Sequence, residues 1–213
     1  MNPEHAMSQI LLAKIALEHL FLINEATEWA QKAVELTSFK NKKALIIYGS
    51  SMCIKAKLQK QHATQIGCYE KALESFRKAN ALDPSDFLPL YHIAHCHSIL
   101  RKINEAIDYV QKSLKLKPDD KDSMHLLALL LTSTKNYDEA HTIMSKACAL
   151  HDDCELLFTK IKIEEVLFDF NQTVASFLSL IVTFKQTPTN NEIKQQMGSL
   201  KNYAPTPGNH QGR

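Results

Sequence analysis

The sequence predicts an all-α solenoid of about five helix–turn–helix hairpins wound into a right-handed superhelix. Two observations carry that expectation. The first is a fixed step of 34 residues. Ala72, Ala106 and Ala140 follow it, as do Phe76, Val110 and Met144, and Ala79, Ser113 and Ala147. Leu90, Met124 and Phe158 repeat it on a preceding helix, with Ile93, Leu127 and Ile161, and Pro84 and Pro118 fall at the same interval. The second is the scarcity of helix breakers: only five of 213 residues are Gly and seven are Pro, and neither occurs between Pro118 and Pro188. Such a stretch favours long uninterrupted helices.

A 34-residue period is that of the tetratricopeptide (TPR) repeat. The pattern has a packing logic. Small residues at repeat positions 8 and 20 let the two helices of a hairpin approach closely, and large ones at positions 4, 7 and 24 fill the gaps between hairpins. Residues 87–120 supply Leu90, Ile93, Ala94, Ala106, Val110, Ser113 and Pro118, and residues 121–154 supply Met124, Leu127, Ala128, Ala140, Met144 and Ala147. Two hairpins precede these. Ile23-Asn24-Glu25-Ala26 recurs as Ile103-Asn104-Glu105-Ala106, 80 positions on, which leaves 12 residues beyond two periods. The first hairpin is placed at about 6–36. The second is placed at 42–84, with the insertion near 60–68 and one residue more in the Thr37–Lys42 loop. A fifth, degenerate hairpin spans 155–186, where Val174, Leu178 and Ile181 continue the step and Lys162 replaces a small residue. Asn24, Asn104 and Asp86 are candidate N-caps. Residues 187–213 are polar with Pro and Gly and are expected to be mostly disordered, with a short helix at 191–200.

Composition narrows the function. Lys and Arg number 25 against 23 Asp and Glu, a net charge of +2. Such a balance lacks the basic footprint of a nucleic-acid binder, and without a run of four Lys or Arg no direct anionic-lipid patch is expected. The longest apolar runs, Leu126–Leu131 and Ala44–Tyr48, fall far short of the ~20 residues of a membrane span. The N-terminus has neither the basic nor the apolar region of a signal peptide. Cys53, Cys68, Cys96, Cys148 and Cys154 form an odd set with no C-x-x-C pair, which reads as reduced thiols of a cytosolic protein.

No P-loop, G-x-G-x-x-G, H-E-x-x-H or G-x-S-x-G motif occurs, so a non-catalytic protein without cofactor or metal is expected. His92, His95 and Cys96 sit at helical spacing and offer N, N and S ligands, but a zinc site wants a fourth group and an outer shell. They are read as ordinary helix positions. Asp119-Asp120 and Asp152-Asp153 are read as turn and cap residues.

The first helices of successive repeats line a concave groove, at repeat positions 2, 5, 6, 9 and 12. These are Leu88, Tyr91, His92, His95 and Ser98 in the third repeat, and Asp122, His125, Leu126, Leu129 and Thr132 in the fourth. In the fifth they are Leu156, Thr159, Lys160, Ile163 and Val166. From these, Leu88, Tyr91, His92, His95, His125, Leu126, Leu129, Thr159, Lys160 and Ile163 are the candidate protein-binding residues. A groove that clamps a C-terminal carboxylate needs Lys and Asn on successive helices. Here no Asn occupies these positions and Lys160 stands alone, so a carboxylate-clamp co-chaperone is not expected. An apolar groove with His and Tyr suits a helix or an extended apolar segment. The alternative is that Leu126, Leu129 and Ile163 only pack within the stack.

Three segments are similar to the tetratricopeptide repeat protein seven family: Lys71–Ala79 followed by Leu82-Asp83-Pro84-Ser85-Asp86, then Met124–Leu131, then Glu155–Glu164. The insertion at 56–70 matches a peculiarity of that family, and the resemblance covers about 40–186. It implies a role as a helical scaffold of the plasma-membrane phosphatidylinositol 4-kinase alpha complex, joining the kinase to hyccin and to a palmitoylated membrane anchor. The location implied is cytoplasmic and peripheral at the plasma membrane. Members of that family are several times longer, so a fragment or short form is expected. A general TPR adaptor in another assembly is the alternative. The helix over 174–184 is apolar on nearly every face, which predicts self-association or a partner there, with Ile193, Met197 and Leu200 offering a short cover.

Overall fold

The computed structural model describes residues 3–168 and 170–186. Every regular element among them is helical. Helix α1, Pro3–Ile15, runs into a π-helical turn at Ala16–Leu20. It is followed by α2 (Ile23–Leu36), α3 (Lys42–Leu58), α4 (His62–Leu82), α5 (Phe87–Ile99) and α6 (Ile103–Leu116). Then come α7 (Lys121–Ser133), α8 (Tyr137–Leu150), α9 (Cys154–Leu167) and α10 (Phe170–Gln186). The chain divides into two compact units, Met1–His151 with α1–α8 and Asp152–Arg213 with α9 and α10. The tail and the short helix expected at 191–200 lie outside the described residues.

Helices pair as hairpins through the small residues of the 34-step. Ala72, Ala94, Ala106, Ala128 and Ala140 are all fully buried. Phe76, Ile93, Val110 and Met144 fill the spaces between them and are buried as completely. The second hairpin takes up its extra residues as helix: α3 and α4 have 17 and 21 residues, against 13 and 14 in α5 and α6.

Helix starts alternate in kind. The first helix of each hairpin from the second onward carries a side-chain cap. Asn41 accepts from the Ala44 amide, Asp86 from Leu88, Asp120 from Ser123 and Asp153 from Glu155 and Leu156. Helices α2, α4, α6 and α8 have none. Asn24 and Asn104, expected as caps, lie inside α2 and α6, whose cap positions are Leu22 and Lys102. Phe21, Arg101 and Lys135 adopt left-handed φ of 54°, 60° and 62°. At the last two, Lys102 N–H reaches the His97 carbonyl and Asn136 N–H the Leu131 carbonyl, both at 2.9 Å. That is the Schellman closure, and at both turns the residue in the cap position, Lys102 or Asn136, makes no side-chain cap hydrogen bond.

In the second unit the repeat step persists in spacing but not in burial. Thr173, Ser176 and Thr183 face inward, while Leu178, Ile181 and Val182 are exposed. Thr183 Oγ1 donates to Asp152 Oδ1 at 3.3 Å, which fixes that face inward. The register expected from Val174, Leu178 and Ile181 is therefore rotated on α10.

Candidate protein-binding groove

In the first unit, α1, α3 and α5 line a cavity of about 750 Å³. Its wall is apolar: Met7, Ile10, Leu11 and Leu17 from α1 and its π-helical turn, Ile46 and Ile47 from α3, Leu88 from α5. Ser8, Lys14, Glu18, Lys43, Ser50 and His92 supply the polar groups. Counting repeat positions from 6 and 42, positions 2, 5, 6 and 9 are Met7, Ile10, Leu11 and Lys14 in the first repeat and Lys43, Ile46, Ile47 and Ser50 in the second. All eight line the cavity. The same repeat positions that mark Leu88 and His92 on α5 thus line this cavity on α1 and α3.

Of the residues expected from the sequence, the structure brings Leu88 and His92 into this cavity. Tyr91 and His95 stand beside them. His92 stacks on the buried Phe76 ring with centroids 4.7 Å apart and an interplanar angle of 12°. Tyr91 tilts against His92 at 5.2 Å and against His95 at 6.3 Å. On α7, Leu126 is buried, His125 half-buried and Leu129 45% exposed, and none of the three lines the cavity. On α9, in the second unit, Ile163 is buried, Thr159 is half-buried and the Lys160 ammonium pairs with Glu164 at 3.3 Å.

The imidazoles are held neutral. Burial, reinforced by neighbouring His95, depresses the His92 pKa to about 4. Burial and the Lys57 ammonium lower that of His95. The His92–Cys96 trio does not converge on a point: the imidazoles join the aromatic stack, while the Cys96 thiol sits 3.4 Å from Cys53 Sγ. At neutral pH the formal charges lining the cavity are therefore those of Lys14, Glu18 and Lys43, and Lys14 lies 3.9 Å from Glu18. An apolar trough with a few charged groups takes up the apolar face of a peptide or helix. Among the described residues no helix is long and apolar enough to cross a membrane.

Comparisons with known proteins agree with this architecture. The family model described as Regulator of microtubule dynamics protein 1-3 matches residues 57–137. Over 170 residues the chain is 33% identical to tetratricopeptide repeat protein 7B of Mus musculus, an alignment covering 78% of this chain and 20% of that protein. To tetratricopeptide repeat protein 7A of Homo sapiens it is 27% identical over 171 residues, with the same coverage. The chain thus spans about a fifth of the length of the curated relatives it matches. Among solved structures, a thermophilic TPR protein of Thermus thermophilus superposes with a TM-score of 0.68 at 21% identity, over 76% of this chain and 82% of that one. The chain is an all-α TPR solenoid, and its resemblance to the tetratricopeptide repeat protein 7 family holds over most of its length.

Proposed function

We propose that this chain is a segment of a lipid-kinase scaffold of the tetratricopeptide repeat protein 7 kind. In this reading it helps recruit and stabilise phosphatidylinositol 4-kinase alpha at the plasma membrane, together with hyccin and a palmitoylated anchor. It works from the cytoplasmic side, as a peripheral protein, without catalysis of its own. The observation that carries the reading is the 33% identity to tetratricopeptide repeat protein 7B across 78% of the chain. The groove over α1, α3 and α5 supplies the means, because its apolar wall suits a helix of a partner. Exposed Leu129 on α7 offers a further contact, and the exposed Leu178, Ile181 and Val182 of α10 offer a surface for a partner or a second copy.

The alternative, a general TPR adaptor of a different assembly, draws on the match of residues 57–137 to the microtubule-regulator family model. One experiment separates the two. The purified chain is immobilised and offered purified phosphatidylinositol 4-kinase alpha with hyccin, and separately tubulin. Retention of the kinase and hyccin but not of tubulin supports the scaffold reading. No retention of either kinase or hyccin at micromolar concentration rejects it.

A further inference from the structure

Cys53 on α3 and Cys96 on α5 lie in one buried cluster with Met52, Tyr69, Phe76 and Ile93, and their sulfurs are 3.4 Å apart. We propose that this pair is an oxidation site, at which peroxide joins α3 to α5 by a disulfide. A disulfide needs its sulfurs at about 2.05 Å, so the two side chains close by roughly 1.4 Å, within reach of small rotamer and helix adjustments. Counted from 42 and 87 they stand at positions 12 and 10 of successive first helices, and they are 43 residues apart because the insertion near 60–68 lies between them.

The two sulfurs are not equivalent. Cys53 keeps 8% of its surface exposed and Cys96 none. The hydrogen bond with Cys53 and burial raise the Cys96 pKa. Cys53, which keeps some surface open to solvent, is therefore the sulfur that meets the oxidant. As thiolate it attacks one peroxide oxygen, the O–O bond breaks, and the departing hydroxide takes up a proton as water, leaving a sulfenic acid. Cys96 Sγ then attacks Cys53 Sγ. The S–O bond breaks, and the hydroxyl leaves as water with the Cys96 proton. Two thiols and one peroxide give one disulfide and two waters: the sulfurs lose two electrons and the peroxide gains them. The product staples two of the three helices that line the groove.

The test uses the reduced 213-residue chain, treated with hydrogen peroxide, alkylated at remaining thiols and digested with trypsin without reduction. The expected product is peptide 44–55 joined to peptide 79–101, lighter than the two separate peptides by two hydrogens and released by dithiothreitol. Closing a loop of this size raises the melting temperature by about 5 °C or more, and Cys53→Ser or Cys96→Ser abolishes that shift. The proposal is overturned if Cys53 and Cys96 stay alkylatable at doses that oxidise the half-buried Cys148 and Cys154. It is equally overturned if Cys68, in the same cluster, takes the place of either partner. The wild-type peptide map decides the matter even where a serine variant folds poorly.

Discussion

A methyl group added at Gly49 has nowhere to go. An ideal Cβ there lies 2.6 and 2.7 Å from two carbons of the Phe76 ring. Carbon atoms pack at about 3.5–4.0 Å, so the ring has to retreat by about 1 Å. Phe76 is fully buried and stacked on His92, so it has no free direction. Overpacking of this kind costs about 1–3 kcal/mol, while Ala for Gly in a helix returns about 1 kcal/mol. Gly67, on α4, is the internal control, because nothing lies within 4 Å of its Cβ. Gly67→Ala gains the same helix term and meets no obstacle, so the difference between the two variants isolates the overpacking term, about 1–3 kcal/mol. Urea unfolding followed by circular dichroism, with equal slopes, measures it. Gly67→Ala raises the midpoint and Gly49→Ala lowers it relative to Gly67→Ala. In a Phe76→Leu background the penalty at Gly49 shrinks, because the two sites couple. If Gly49→Ala is as stable as Gly67→Ala, the packing of α3 on α4 described above is wrong.

Other expectations follow from the same structure. Ala106→Leu and Ala140→Leu, at fully buried positions, cost about 1–3 kcal/mol, whereas Ala63→Leu on the exposed start of α4 costs little. Equal thermal shifts at all three contradict the repeat packing. Arg101→Gly and Lys135→Gly relieve left-handed backbone and raise stability by about 1 kcal/mol, seen as a higher urea midpoint. Lys42 bridges Asp83 and Asp86 at 2.7 Å each, and its ammonium holds the Asp83 carboxyl at about 2. That contribution is present above the ordinary carboxylate pKa and is lost as pH falls from about 4 towards 2, so the melting difference between wild type and Lys42→Met closes over that range. His92, depressed to about 4, refuses protons that the unfolded chain binds, so stability falls as pH drops from about 6.5 to 4. His92→Gln flattens that part of the melting-temperature profile.

The sequence was most legible where packing dictates residue size. Ala106, Ala128 and Ala140 are small because two helices touch there, and that demand recurs every 34 residues. The turns were opaque: Phe21, Arg101 and Lys135 hold a conformation that usually calls for glycine, so no residue type announced it. Asn24 and Asn104 looked like caps because the true cap positions, Leu22 and Lys102, have no capping side chain. On α10, apolar residues on every side left the helical period without contrast, and Thr173 and Ser176 took the inner face. In the groove, Leu88 and His92 were found from their repeat positions, and the α1 and α3 wall followed the same positions one and two repeats earlier. The Cys53–Cys96 contact was not legible, since the two thiols stand at different positions, 12 and 10, of successive repeats and share no step of 34.

The central claim is that the face formed by α1, α3 and α5 binds protein. Leu11 lines the groove and is 58% exposed, while Leu150, on α8, is 51% exposed and outside it, so aspartate at either site leaves the fold intact. Biolayer interferometry of the wild type, Leu11→Asp and Leu150→Asp against purified phosphatidylinositol 4-kinase alpha with hyccin tests the claim directly. The account predicts about tenfold or greater loss of affinity for Leu11→Asp, with Leu150→Asp binding as the wild type does. Wild-type affinity in Leu11→Asp, or a greater loss in Leu150→Asp, would contradict it.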